Sequence, residues 1–188
     1  MTLRRFLPVV ATLLLLACAC RRSAAPPDKR VFLLPSATHA ESEPIAFPAA
    51  ADNVRLLVFI HPTDPVCLNA LEHEYSAILG AFSARGFSIL AAIPTAQTHP
   101  PVLPEIVAMG LPFPVGYAGA DMVEAYGGES ALHAIPTIFL LGRDGAEPLR
   151  KYPGYPDGEL LRRDIEAALS GEPLPPPPAM LLPEENEA

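Results

Sequence analysis

The residues with the most chemical capacity in this chain are Asp64, Pro65, Val66 and Cys67. A cysteine attacks or ligates only as its thiolate, and its surroundings decide how much thiolate there is. Two influences compete here. A helix N-terminus favours negative charge, but Asp64 brings a carboxylate that can take that advantage for itself and that repels a second anion. Exchange by a dithiol also needs a second thiol to release the mixed disulfide. The chain has three cysteines, and Cys18 and Cys20 both lie within the first twenty residues, so Cys67 stands alone in the body. What remains open to it is monothiol chemistry, or none if it is an inert core residue behind a capping aspartate. His61, Asp64 and Cys67 also sit three apart, with His133 three residues before Pro136. Mixed histidine, cysteine and carboxylate sets hold zinc or copper. Pro62 intervenes, however, so the three need not converge, and the sequence assigns no metal and no cofactor.

The elements around this stretch read clearly. "VRLLVFI", Val54 to Ile60, is a buried-type strand closed by His61-Pro62. Val66 to Arg85 is helical, because Cys67, Leu71, Tyr75, Ile78, Leu79 and Phe82 fall on one face. Asp64 suits the N-cap and Pro65 the first turn. That face turns the thiol inward, and burial raises a thiol pKa. Gly86 ends the helix and "FSILAAI", Phe87 to Ile93, is a second apolar strand, so strand, helix and strand form a parallel crossover. A Pro-rich loop leads to a short helix near Val102 to Met109, then "LPFPVGY", then another short helix near Ala120 to Tyr126. "PTIFLLG" is a strand, Arg143-Asp144-Gly145 a turn, and "EPLRKYPGY" a hairpin partner. An amphipathic helix runs from about Asp157 to Leu169 and stops at Gly171. This order predicts a small α/β sandwich with a mixed central sheet flanked by helices.

The ends read differently. Arg4 and Arg5 form a positive start, Phe6 to Leu16 is an apolar run too short for an ordinary membrane span, and Leu15-Leu16-Ala17-Cys18 is a small-residue cleavage site ending at cysteine. The pattern resembles a bacterial lipoprotein signal over 1–17, with Cys18 as the lipidated first residue of the mature chain. An ordinary secretory signal or an uncleaved anchor is the alternative, and Cys20 follows a poorer box. Each version exports the protein, and the lipoprotein version makes it a periplasm-facing protein on the inner or the outer membrane. Residues 18–48, rich in Ala, Pro and Ser, read as a tether with an irregular lead-in or a small hairpin, and 49–170 as the folded domain. The four consecutive prolines and acidic finish within 171–188 predict an extended, disordered tail. The net charge of −8 gives nucleic-acid binding no electrostatic support. Glu72 and Glu74 read as a solvated helix face, and His73 and His99 belong to no constellation.

Taken together, the apolar strand running into a Pro-containing turn, "GLPFPV" and "EAYGG" in the middle, and "AIPTIFLLGRDGAEPLRKYPGY" resemble the TlpA/ResA branch of envelope thioredoxin-like proteins, from about Leu56 to Leu169. The resemblance implies a thioredoxin-like three-layer sandwich, thiol-disulfide oxidoreductase ancestry, and a cis peptide at Pro136 whose loop packs against the active-site cysteines. It also implies a degenerate site. Where the family has a Trp-Cys-Pro-Pro-Cys stretch, this chain has Thr63-Asp64-Pro65-Val66-Cys67, so Asp64 occupies the nucleophile position and Cys67 the resolving one. Two functions follow. As an enzyme, Cys67 would form a mixed disulfide with an envelope protein or a small thiol, Pro136 would position the partner, and an external thiol would resolve the bond. As a binding module, the groove between the Asp64 turn and the Pro136 loop would hold an extended peptide without turnover. "DPVC" also resembles the "TPVC" of peroxiredoxins, but with a carboxylate in place of the threonine, and with Ala134 and Ile135 where that family carries an arginine.

Overall fold

The structure is a computed structural model that describes residues 31–48, 52–145 and 147–177. The export segment with Cys18 and Cys20, and the tail from residue 178, lie outside the described residues. Seven strands are described: β1 (Phe32–Leu34), β2 (Ile45–Phe47), β3 (Val54–Phe59), β4 (Phe87–Pro94), β5 (Val115–Ala118), β6 (Thr137–Leu141) and β7 (Pro148–Pro153). The helices are α1 (Pro65–Asn69), continued by a π-helical stretch (Ala70–Tyr75) into α2 (Ser76–Phe82), then α3 (Pro104–Ala108), α4 (Ala120–Ala125), α5 (Gly128–Ala131) and α6 (Gly158–Ser170).

The central sheet has the order β5-β4-β3-β6-β7. β4 runs parallel to β3 and β5 parallel to β4, whereas β6 is antiparallel to β3 and β7 to β6. β3 is buried along its whole length, as expected of a central strand covered on both faces. Its side chains alternate between two cores. Leu56 and Val58, with Ile60 just past the strand, join Cys67, Leu71, Tyr75 and Ile78 from the α1–α2 helix and Leu161 and Ile165 from α6. Leu57 and Phe59 join Phe32 and Phe47 of the β1–β2 hairpin, Met122 of α4 and Leu132. Helices, sheet, and hairpin with helix make the three layers that the sequence predicts.

The structure adds to the sequence reading at three places. The lead-in takes the hairpin form: β1 and β2 pair antiparallel, and Ser36 bridges to Gly116 of β5. A Cβ on Gly116 would lie 2.9 Å from Leu34 Cβ, so glycine is what lets the hairpin lie so close to the sheet. The folded body therefore starts near Phe32, not at residue 49. Its other end passes Ser170, because Leu174 packs against the first core and Arg150 Nη2 donates to the Pro175 carbonyl. The segment "LPFPVGY" contains edge strand β5, which pairs with β4 at Ala91 to Pro94.

Candidate functional site

The tip of the molecule is built where β3 ends. His61 and Pro62 turn the chain, the Asp64 N–H donates to the His61 carbonyl at 3.1 Å, and α1 starts. Asp64 is the N-cap: its Oδ1 accepts from the N–H groups of Val66 at 2.7 Å and Cys67 at 3.2 Å. Those are two of the donors that a helix start leaves without partners. The carboxylate is thus committed to the backbone at the position that the family resemblance assigns to a nucleophilic sulfur.

Cys67 lies on the inner face of α1 with 0% of its surface exposed, and it is a free thiol. Burial pushes its pKa up and the Asp64 charge adds to this; a backbone hydrogen bond from His61 works in the opposite direction. Behind it, Tyr75 is also fully buried. The Tyr75 hydroxyl has no hydrogen-bond partner among the described residues, and burial holds it protonated far above the ordinary phenol range. A sulfur in this setting offers little thiolate and no open approach. Across the tip the Ile135–Pro136 peptide is cis, Pro136 is buried, and Thr137 Oγ1 donates to the Ala134 carbonyl.

The histidines do not complete a metal set. The ring of His61 is exposed, with Thr63 Oγ1 and its Nδ1 3.0 Å apart, and His133 is exposed on the opposite loop. The described residues contain no group of three His, Cys, Asp or Glu side chains placed to share an ion.

Beside the tip, at the carboxyl ends of β3, β4 and β5, lies a cavity of about 920 Å³. Ile60, Ile93, Leu103, Val123, Leu132 and Ile135 give it apolar walls. His61 and Pro62 form the side toward the tip, and Thr95, Ala96 and Gln97 another part of the lining. Tyr117 Oη, also in the lining, donates to the Pro101 carbonyl at 2.6 Å. Neither Asp64, Cys67 nor Pro136 lines it. The open space is therefore on the β4–β5 side of the turn, not directly between Asp64 and Pro136. A site at the carboxyl ends of parallel strands is the usual placement in an open α/β sheet.

Sheet order, the helix entering from β3, the proline turn before β6 and the final helix define one arrangement. The fold is thioredoxin-like. Solved structures with this fold include a thiol:disulfide interchange protein of the thioredoxin family from Chlorobium tepidum, 19% identical, matching 76% of this chain and 99% of its own with a TM-score of 0.58. StoA from Bacillus subtilis is 22% identical over 73% of this chain and 97% of its own, at a TM-score of 0.51. The pneumococcal exposed lipoprotein thioredoxin Etrx1 from Streptococcus pneumoniae is 13% identical over 73% and 98%, at a TM-score of 0.54. No family model and no curated protein sequence matches the chain.

Sequence reasoning missed the cavity's acidic rim, Glu124 on α4 and Glu129 on α5. The available signal was "EAYGGES", where two carboxylates flank Gly127 and Gly128. Both glycines have positive φ, 100° and 71°, and this turn brings the two acids to one mouth.

Proposed function

We propose that this chain is an exported, thioredoxin-like protein of the cell envelope, tethered to the membrane through lipid on Cys18, whose tip binds extended polypeptide without redox turnover. The observation that carries the reading is the contrast at the tip. The one cysteine among the described residues is fully buried, with a helix-capping carboxylate one turn ahead of it, while an open, mostly apolar cavity lies alongside. Dithiol exchange lacks its attacking group, whereas backbone and side-chain capture needs only the groove. The tether reading rests on the Leu15-Leu16-Ala17-Cys18 motif. The exposed lipoprotein among the structures of this fold is consistent with it.

A second reading, monothiol exchange through Cys67, draws on the His61 hydrogen bond that favours the thiolate and on the interchange protein of the same fold. One experiment separates the two. A fluorescent, cysteine-free unfolded polypeptide is titrated with the wild-type protein and with Cys67→Ala, and insulin reduction is followed in parallel. The binding reading expects equal capture by both proteins and no reduction by either. A measurable rate of insulin reduction by the wild-type protein that is lost in Cys67→Ala would establish the monothiol enzyme instead. The tether has its own check: Cys18→Ser should release the protein from membranes, and unchanged membrane association would refute the lipid anchor.

A further inference from the structure

The charge at the cavity mouth specifies its occupant more narrowly. Glu124 and Glu129 both line the cavity, and no ion pair among the described residues involves either of them. No lysine or arginine lines it, and its one basic side chain, His61, faces Thr63 Oγ1 through Nδ1. A Cβ at Gly128 would come within 3.2 Å of Glu124 Oε2, so glycine there leaves this carboxylate its position. Most of the remaining wall is apolar, with Thr95, Gln97 and Tyr117 as its neutral polar members. Two unpaired carboxylates above an apolar pocket complement a group with a long aliphatic stem and a cationic head, which lysine and arginine provide.

We propose that the cavity takes an extended polypeptide segment carrying a lysine or arginine among apolar residues, with the basic head between Glu124 and Glu129. This rests on the polypeptide-binding reading above and names its substrate class. The carboxylates select rather than hold: apolar burial provides the larger part of the affinity, and opposite charge at an exposed rim contributes discrimination that salt screens. Acidic segments are disfavoured by the same two side chains. The acidic residues at 184, 185 and 187 make the chain's own carboxyl-terminal end a poor occupant.

The test uses three fluorescent, cysteine-free decapeptides of the same apolar sequence with arginine, citrulline or glutamate at the centre. They are titrated against the wild-type protein and against Glu124→Gln/Glu129→Gln, whose fold is checked by thermal melting. Arginine should bind about fivefold tighter than citrulline at low ionic strength, glutamate weaker than both, and the difference should shrink as salt rises. In the double variant the three affinities should converge on that of the citrulline peptide. Equal binding of arginine and citrulline peptides by the wild-type protein overturns this inference and leaves the binding reading standing. A preference for arginine that survives in the double variant also overturns it. If none of the three peptides binds, the polypeptide-binding reading itself fails, and this inference with it.

Discussion

Asp64 and Cys67 are the residues on which the account turns, and each has separable roles. Replacing Asp64 by alanine removes the acceptor for two backbone donors and should cost about 0.5–2 kcal/mol in chemical denaturation. Asp64→Asn keeps the cap while removing the charge, so stability should change little and the Cys67 thiol pKa should fall slightly while burial still holds it up. Asp64→Cys puts a second thiol at the half-exposed position; under oxidising conditions it should form a disulfide with Cys67 that wild type cannot form, detectable by mass. The tyrosines give a pH prediction. Cys67, Tyr75 and Tyr152 all have pKa values raised by burial, and Tyr126 and Tyr155 are pushed up to about 12. In the unfolded chain these groups lose their protons at lower pH than in the folded one. Stability is therefore full below about pH 8.5, where even the unfolded thiol is protonated, and declines as pH climbs past the ordinary phenol value near 10. Melting temperatures between pH 7 and pH 11 should fall accordingly, and a flat profile would contradict the burial. Cys67's inward direction was legible from helical spacing alone. The Tyr75 hydroxyl without a partner was not, because nothing in sequence spacing shows which hydroxyl a core leaves unsatisfied.

At the scale of elements, the helix after the tip was legible and its irregularity was not. Apolar residues at 67, 71, 75, 78 and 82 suit a helical stripe, yet Ala70–Tyr75 is wound as a π-helix. Ser76 Oγ donates to the Leu71 carbonyl at 3.0 Å, supporting a carbonyl at this widened turn. Ser76→Ala should cost about 0.5–1.5 kcal/mol, measured by urea unfolding, and no loss would mean that the π turn does not need the hydroxyl. Strand β5 escaped notice because it is four residues long between a proline and a glycine, too short for a period to declare itself. Helix α5, also four residues and opening on two positive-φ glycines, escaped for the same reason. With it went the acidic rim of the cavity, the part of the candidate site that the sequence least revealed.

At the scale of the molecule, one polar cluster ties the last helix, the edge strand and the following segment together. Asp164 on α6 is 0% exposed, accepts from Tyr152 Oη at 2.6 Å and from Arg150 Nη1, both on β7, and has Arg163 at 3.5 Å. Arg150 reaches on to the Pro175 carbonyl, so helix, edge strand and the start of the Pro-rich segment share one network. Asp164→Ala removes the carboxylate partner of a largely buried guanidinium and the acceptor of a buried phenol, and should cost about 3–5 kcal/mol in a denaturant titration. A chain ending at Ser170 should also melt lower than the full chain, since it loses Leu174 from the core and the Pro175 acceptor; an unchanged melting temperature would restore the sequence-based boundary. That boundary was misjudged because proline runs read as tail by composition, while the contacts that hold Pro175 come from a residue 25 positions earlier. The proposal on which the rest depends is that Cys67 belongs to the core and that the tip works by binding. Its most direct test is the rate of Cys67 alkylation against pH in the Cys18→Ser/Cys20→Ser protein, where Cys67 is the only thiol. We predict labelling that follows unfolding and is slow in the native protein even near pH 9. Rapid native labelling with an apparent pKa well below about 8.5 would mean an open, activated thiol and would contradict the claim.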